Sequence, residues 1–260
     1  MAESRKIKDI VQKSYSKMAS GGCCGSGCGC DSGKDNKRIS KSIGYSEEEI
    51  VSFSDSNLGL GCGNPVAMAS IDEGDVVLDL GSGAGFDAFI ARRKVGVSGR
   101  VIGVDFTPEM VEKARGLALK QGYDNVEFRL GDIEDLPVKG NSVNVVISNC
   151  VINLAPDKRK VFSEAFRVLK KNGKMFVSDI VLLSELDESK KADEKLLCGC
   201  VGGALLKDDY IEIARSAGFD VEILGEDKKI SKEQYGGVDL ESLKLKLIKP
   251  EIKCECCCCG

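Results

Sequence analysis

Residues 76–91 read VVLDLGSGAGFDAFIA. A short apolar, β-rich run leads into glycines at every second position, and a helical pattern begins directly after them. Such a strand-to-helix turn lets backbone approach a ligand and aims the electropositive helix N-terminus at it. Asp79, Gly81, Ser82, Gly83 and Gly85 are therefore the candidate binding residues of the turn. A dinucleotide fingerprint needs a glycine or alanine three positions after the second glycine, and Phe86 stands there. That spacing disfavours a nicotinamide dinucleotide.

Working outward, VIGVD (101–105), VEFRL (126–130), VNVVIS (143–148) and KMFVSDIV (174–181) are further β-rich runs, separated by stretches of helical length and pattern. This alternation predicts an α/β fold with parallel strands joined by crossover helices. The later runs FDVEILGEDKKI and ESLKLKLIK have no long helix between them, which predicts an antiparallel C-terminal hairpin at the sheet edge. Open α/β sheets bind ligands beyond the carboxyl ends of their strands. Asp105 ends the second strand, where a carboxylate can accept from ribose hydroxyls, and Asn149, which closes the fourth, is a further candidate cofactor residue. After the third strand, GDIEDLP places Asp132 to accept from an adenine amino group and the Ile133 backbone to donate; the plain alternative for Asp132 is a turn cap.

Composition limits the rest. With 260 residues, 42% hydrophobic and 30% charged, the chain has material for one sizeable core plus appended segments, and a net charge of −4 leaves no excess of cations for a nucleic acid backbone. Apolar residues at helical spacing over 5–19 predict an amphipathic helix that docks on the core. No continuous apolar stretch marks the N-terminus as a leader or a membrane span, so a cytoplasmic protein without membrane association is expected. Ser46 and Glu49 form a capping-box pair that opens a short helix. The expected organisation is an N-terminal helix and Cys/Gly-rich segment over 1–44, a main domain over 45–248 and a Cys-rich tail over 249–260.

The chain has thirteen cysteines and no histidine, so thiolate is its strong soft donor. In a reducing compartment cysteines point to metal binding or catalysis ahead of disulfides. Cys62 lies in LGCGNP before the first strand, Cys150 in SNCVINL directly after the fourth and Cys200 in LLCGCVGGAL after the fifth. Strands end at a common edge, so Cys150 and Cys200 can meet near the glycine turn, and the loop that carries Cys62 toward the first strand can lie over the same opening. The alternative for each is a small buried apolar residue. Cys198 makes a CxC with Cys200. Cys23, Cys24, Cys28 and Cys30 cluster near the N-terminus, and Cys254 and Cys256, Cys257, Cys258 and Cys259 form a tail closer to metallothionein spacing than to a zinc finger.

The glycine turn with Asp105 and Asp132 resembles the class I S-adenosylmethionine-dependent methyltransferases over roughly residues 70–250. The resemblance implies a Rossmann-like sheet, with Asp79 and the turn glycines on the methionine and ribose portions of the cofactor, Asp105 on the ribose and Asp132 on the adenine. LGCGNP, SNCVINL and CVGGAL further resemble the arsenite-methylating branch. That resemblance implies trivalent arsenic held by Cys62, Cys150 and Cys200, arsenite or its thiol conjugates as substrate, and a thiol reductant such as thioredoxin or glutathione. An N-terminal cysteine of the family takes part in thiol relay, and Cys23, Cys24, Cys28 and Cys30 compete for that role. Both terminal clusters are expected to capture arsenite for the three-thiol site, or else to bind soft metals without a part in turnover. Two other functions stay open on the sequence: methylation of carbon on a quinone-type small molecule, and metalloid sequestration without catalysis.

Overall fold

A computed structural model describes residues 2–20, 32–191, 193–228 and 237–251. Cys23, Cys24, Cys28, Cys30, Cys254 and Cys256 to Cys259 lie outside the described residues.

Among the described residues, the helices that precede the sheet are α1 (Ala2–Ala19), α2 (Ser32–Ser42), α3 (Glu47–Ser52) and α4 (Pro65–Met68). The alternating part then runs β1 (Val76–Leu80), α5 (Phe86–Val95), β2 (Arg100–Asp105), α6 (Pro108–Lys120), β3 (Val126–Leu130), β4 (Val143–Asn149), α7 (Lys158–Val168) and β5 (Leu169–Leu182). Three helices follow, α8 (Glu188–Lys191), α9 (Glu194–Cys198) and α10 (Lys207–Ser216), and the described chain closes with β6 (Asp220–Asp227) and β7 (Leu240–Ile248). Local chemistry explains several boundaries. Ser46 and Glu49 complete the reciprocal capping box at α3, and Asn64 caps α4 with Pro65 in its first turn.

The sheet order is β3-β2-β1-β4-β5-β7-β6. Strands β1 to β5 pair in parallel, and β7 is antiparallel to both β5 and β6. The antiparallel C-terminal hairpin is thus present, with β7 inserted inside the sheet and β6 at its edge. The fifth strand starts earlier than expected because Leu169 already pairs with Val143 before the chain bulges and rejoins the ladder at Lys174. Asn172 turns this bulge with φ 59°.

Three buried apolar clusters follow from this layering. Phe162, Tyr210 and Leu245 belong to one, on the face that carries α7 and α10. Phe53, Phe89 and Phe128 belong to the second, on the opposite face with α3 and α5. The third lies at the carboxyl end of the strands and joins Val11 of α1 and Leu197 of α9 to Cys62, Cys150 and Cys200. Strand order reverses between β1 and β4, so a crevice opens beyond their carboxyl ends. The glycine turn leaves β1 there and Cys150 leaves β4 there.

Candidate functional site

The turn after β1 is shaped by glycines. Gly81 has φ 61°, and a side chain there would collide with Val151. Gly83 has φ 51°, and an added Cβ would meet nothing within 4 Å. The first glycine thus permits close packing, and the second leaves open space beside the backbone. Asp105 fixes the far side of the turn: its Oδ2 accepts the Gly83 N–H at 2.9 Å and its Oδ1 the Thr107 N–H at 2.8 Å. Asp79 Oδ2, Ser82 Oγ and Thr107 Oγ1 are buried without a hydrogen-bond partner. Burial, and then the neighbouring charges of Asp87 and Asp105, push the Asp79 carboxyl well above the usual range. Unpartnered buried polar groups around an open cradle are what a polar ligand with cationic and hydroxyl groups would satisfy.

A cavity of about 170 Å³ occupies the crevice, and its lining includes Asp79, Gly83, Asp105, Asn149, Cys150 and Cys200. The same space therefore touches the glycine turn and two of the separated cysteines. Cys62 joins them from the loop before α4. Its Sγ faces the Ser178 carbonyl at 3.4 Å, and the ligand atoms of Cys62, Cys150 and Asp179 all lie within 4.8 Å of one another. Cys200 stands beside this group, its thiol donating to the Cys150 carbonyl at 2.6 Å. All three cysteines are buried, and none forms a disulfide.

Backbone conformation turns two of these thiols inward. Cys150 has φ 58° and Cys200 φ 65°, the left-handed region that L-residues with a side chain rarely occupy. At Cys150 the turn ends β4 while the amide still donates to the Ser178 carbonyl of β5 at 2.8 Å. Holding a cysteine in this region costs free energy that glycine would save, and such strain concentrates at functional positions. Titration behaviour matches the crowding. Hydrogen bonding with the Cys200 and Cys62 thiols, then burial, hold the Cys150 thiol well above its ordinary value. Burial likewise raises Cys62.

Asn149 ties the two halves together. Its Oδ1 accepts the Cys62 amide at 3.0 Å, and its Nδ2 reaches Tyr45 Oη, the Gly63 carbonyl and Asp87 Oδ2 at 2.8 to 3.1 Å. Its amide is committed to the Cys62 loop, to Tyr45 and to α5, and Asn149 also lines the cavity as part of its wall.

Asp132 and Ile133 line a separate small cavity of about 30 Å³, which shares Gly81, Phe106, Val151 and Leu154 with the larger one. Helix α1 covers this side. Lys8 Nζ bridges Asp132 at 2.5 Å and Glu134 at 2.6 Å. Farther along the helix, Gln12 donates to the Phe106 carbonyl and Tyr15 to the Cys198 carbonyl. The amphipathic N-terminal helix thus docks, and its place is over the crevice.

Two residues escaped the sequence reading. Asp179 lies on β5 among the thiols, and Lys8 pairs with Asp132 across 124 positions. An aspartate within a strand-like run was a usable signal for the first; no local pattern marks the second.

Comparison with known proteins places this arrangement. The methyltransferase-domain family matches residues 71–218. The chain is 46% identical over 237 residues to the arsenite methyltransferase of Halobacterium salinarum, covering 87% of this chain and 61% of that protein. It is 38% identical to the arsenite methyltransferase of Rattus norvegicus, covering 70% of this chain and 50% of the relative. The chain thus spans roughly half to three fifths of the length of these curated relatives. The crystal structure of an arsenic(III) S-adenosylmethionine methyltransferase from Chlamydomonas reinhardtii superposes with a TM-score of 0.66 at 36% identity, covering 84% of this chain and 75% of that one. With its parallel sheet, its glycine turn at the switch point and these relatives, the chain belongs to the arsenite S-adenosylmethionine methyltransferases, a branch of the class I methyltransferase family.

Proposed function

We propose that this chain transfers a methyl group from S-adenosylmethionine to trivalent arsenic held by the thiols of Cys62, Cys150 and Cys200. One observation carries the reading: Cys150 and Cys200 line the cavity that Asp79, Gly83 and Asp105 also line, and the Cys62 thiol lies within 4.8 Å of that of Cys150.

The cradle suits this cofactor. The unpartnered Asp79 carboxylate oxygen is placed for an ammonium group, the open face of Gly83 for close backbone approach and the Asp105 carboxylate at the cavity wall for ribose hydroxyls. When bound, the cofactor supplies an electrophilic methyl group on a sulfonium. Asp132 and the Ile133 backbone would take the adenine at the neighbouring cavity.

The chain's own residues load and aim the arsenic. Trivalent arsenic is soft and exchanges hydroxyl for thiolate, each exchange releasing one water, so neither imidazole nor a metal ligand of oxygen type is needed. Sulfur-bound arsenic keeps a lone pair, which makes a general base for the nucleophile unnecessary. Rate enhancement then comes from orientation in a crevice that α1 and the apolar third cluster shield from water. Methylation raises arsenic formally to the pentavalent state, and two electrons must return before another round. A dithiol or glutathione-type reductant, with thioredoxin as a candidate partner, fits that need in a reducing cytoplasm.

Replacing Cys62, Cys150 and Cys200 together by serine tests the assignment. Arsenic methylation should vanish while calorimetric binding of S-adenosylmethionine persists. Methylation of a quinone-type acceptor that survives the replacement would point instead to carbon chemistry, and a chain that fails to bind the cofactor would point to sequestration.

A further inference from the structure

We propose that Lys158 is a positioning residue of the arsenic site: its buried ammonium holds the turn that follows Cys150 against the segment that follows Cys200, and so keeps the two thiols at a spacing that one arsenic can bridge. This inference rests on the reading of these thiols as an arsenic site. Cys150 and Cys200 both line the crevice cavity, and the Cys150 thiol is hydrogen-bonded to the Cys200 thiol. Strand ends alone do not fix that pair, because α8 and α9 intervene between β5 and Cys200.

Lys158 stands where a lysine is otherwise disfavoured. It is the first residue of α7, directly after the Asp157 cap, and the N-terminal turn of a helix repels a cation. It is also buried, with 9% of its surface exposed, and a buried ammonium needs partners to offset its lost hydration. Among the described residues it forms no ion pair; its Nζ donates to the Ala155 carbonyl at 3.2 Å and to the Asn153 carbonyl at 3.5 Å. Both carbonyls belong to the turn Ile152–Leu154 and its cap Ala155, which follow Cys150.

The Cys200 segment meets the same place. A Cβ added to Gly203 would lie 2.1 Å from the Asn153 carbonyl oxygen and 3.6 Å from Lys158 Nζ, so the absence of a side chain lets the two backbones touch. Short turns carry this contact to both thiols. Leu154 and Ala155 donate to the Val151 and Ile152 carbonyls just after Cys150, and Ala204 donates to the Val201 carbonyl just after Cys200. Asn153 fixes the assembly to β5, its Nδ2 reaching Asp179 Oδ1 at 3.0 Å and the Ile180 carbonyl at 2.6 Å. Burial lowers the pKa of the Lys158 ammonium, and Asp179 and then Cys200 act against that shift, in keeping with its place beside this loop.

The test uses the reduced full-length chain carrying Cys62→Ser and Cys198→Ser, which leaves Cys150 and Cys200 as the thiols of the cavity. The probe is phenylarsonous acid, whose arsenic has two exchangeable hydroxyls. Each thiol displaces one hydroxyl, an As–S bond replaces an As–O bond, the thiol proton leaves with the hydroxyl as water, and arsenic stays trivalent. Protection of Cys150 and Cys200 from iodoacetamide is read by mass spectrometry at each residue, which separates this pair from the terminal cysteines. Lys158→Met should raise the free reagent concentration for half-protection by about tenfold or more, because a bridge between two groups is sensitive to small misplacements. That rise should exceed any fall in the rate at which iodoacetamide alone alkylates either thiol, and calorimetric binding of S-adenosylmethionine should be unchanged. Gly203→Ala, which leaves the charge in place and pushes the loops apart, should give the same rise. Unchanged half-protection in Lys158→Met overturns the proposal, and so does a rise that only matches the fall in single-thiol alkylation, which would make Lys158 an electrostatic partner of the thiols, or one accompanied by weakened cofactor binding, which would make it a residue of the fold. Should Lys158→Met fail to fold, Gly203→Ala decides: an unchanged half-protection there overturns the proposal as well. If phenylarsonous acid does not protect Cys150 and Cys200 with Lys158 and Gly203 intact, the arsenic-site reading falls and takes this proposal with it.

Discussion

Asn149 Oδ1 accepts the backbone N–H of Cys62 at 3.0 Å, so a thiol that arrives from the loop before the first strand is fixed to the end of the fourth. The same side chain donates to the Gly63 carbonyl and to Asp87. Replacing Asn149 with alanine leaves these partners unpaired and should cost about 1–3 kcal/mol of stability by denaturant unfolding. Because Cys150 is anchored separately to Ser178, protection of Cys62 by arsenite should fall more than protection of Cys150. Equal loss at both thiols would show that Asn149 acts only on the fold.

Gly83→Ala should separate cofactor binding from folding. The position has φ 51° and open space around a would-be Cβ, so the chain bears only the left-handed cost of about 1–2 kcal/mol. The methyl group would project into the cradle. Calorimetry should show S-adenosylmethionine binding weakened about tenfold or more, beyond what that destabilisation explains.

At Cys150 the usual rank of alanine over glycine should reverse. Its φ of 58° makes Cys150→Gly more stable than Cys150→Ala by about 1 kcal/mol. Both variants should lose arsenic binding. Alanine as the more stable variant would mean that the left-handed turn carries no strain.

Burial holds the Asp87 and Asp179 carboxyls at about 6 in the folded chain. Each binds its proton more tightly folded than unfolded, so its contribution to stability is full below the ordinary value of 3.8 and is lost as pH rises through about 6. Thermal melts should show stability declining between about pH 4 and 6, and Asp179→Asn should flatten part of that slope. An unchanged slope would place the proton elsewhere.

The fold was legible because its signals are local. The β-rich run ending at Leu80, the alternate glycines and Asp105 at the end of the next strand lie within about thirty residues and describe one βαβ unit. Cys150 and Cys200 follow the fourth and fifth strands, whose ends the parallel sheet brings to one edge, whereas Cys62 reaches them from the loop before α4, which strand positions alone do not fix. What stayed hidden depends on side-chain direction and on contacts across the chain. Asp179 belongs to the site only because β5 presents it beside the thiols, within a run that reads as ordinary core. The Lys8–Asp132 pair needs helix α1 to lie over the crevice, and Asn149 spends its amide on a loop that begins more than eighty residues earlier. No periodicity encodes such pairings.

The most direct test of the central claim is a single turnover. Reduced protein is loaded with less than one equivalent of arsenite, freed of excess, and mixed with methyl-labelled S-adenosylmethionine, and the arsenic species are separated. Labelled methylarsenic from the native chain, and none from Cys150→Ser that still binds the cofactor, is the result expected of arsenic methylated on these thiols. Label on arsenic in equal yield from Cys150→Ser, or label on no arsenic at all from a native chain that holds both ligands, would contradict it.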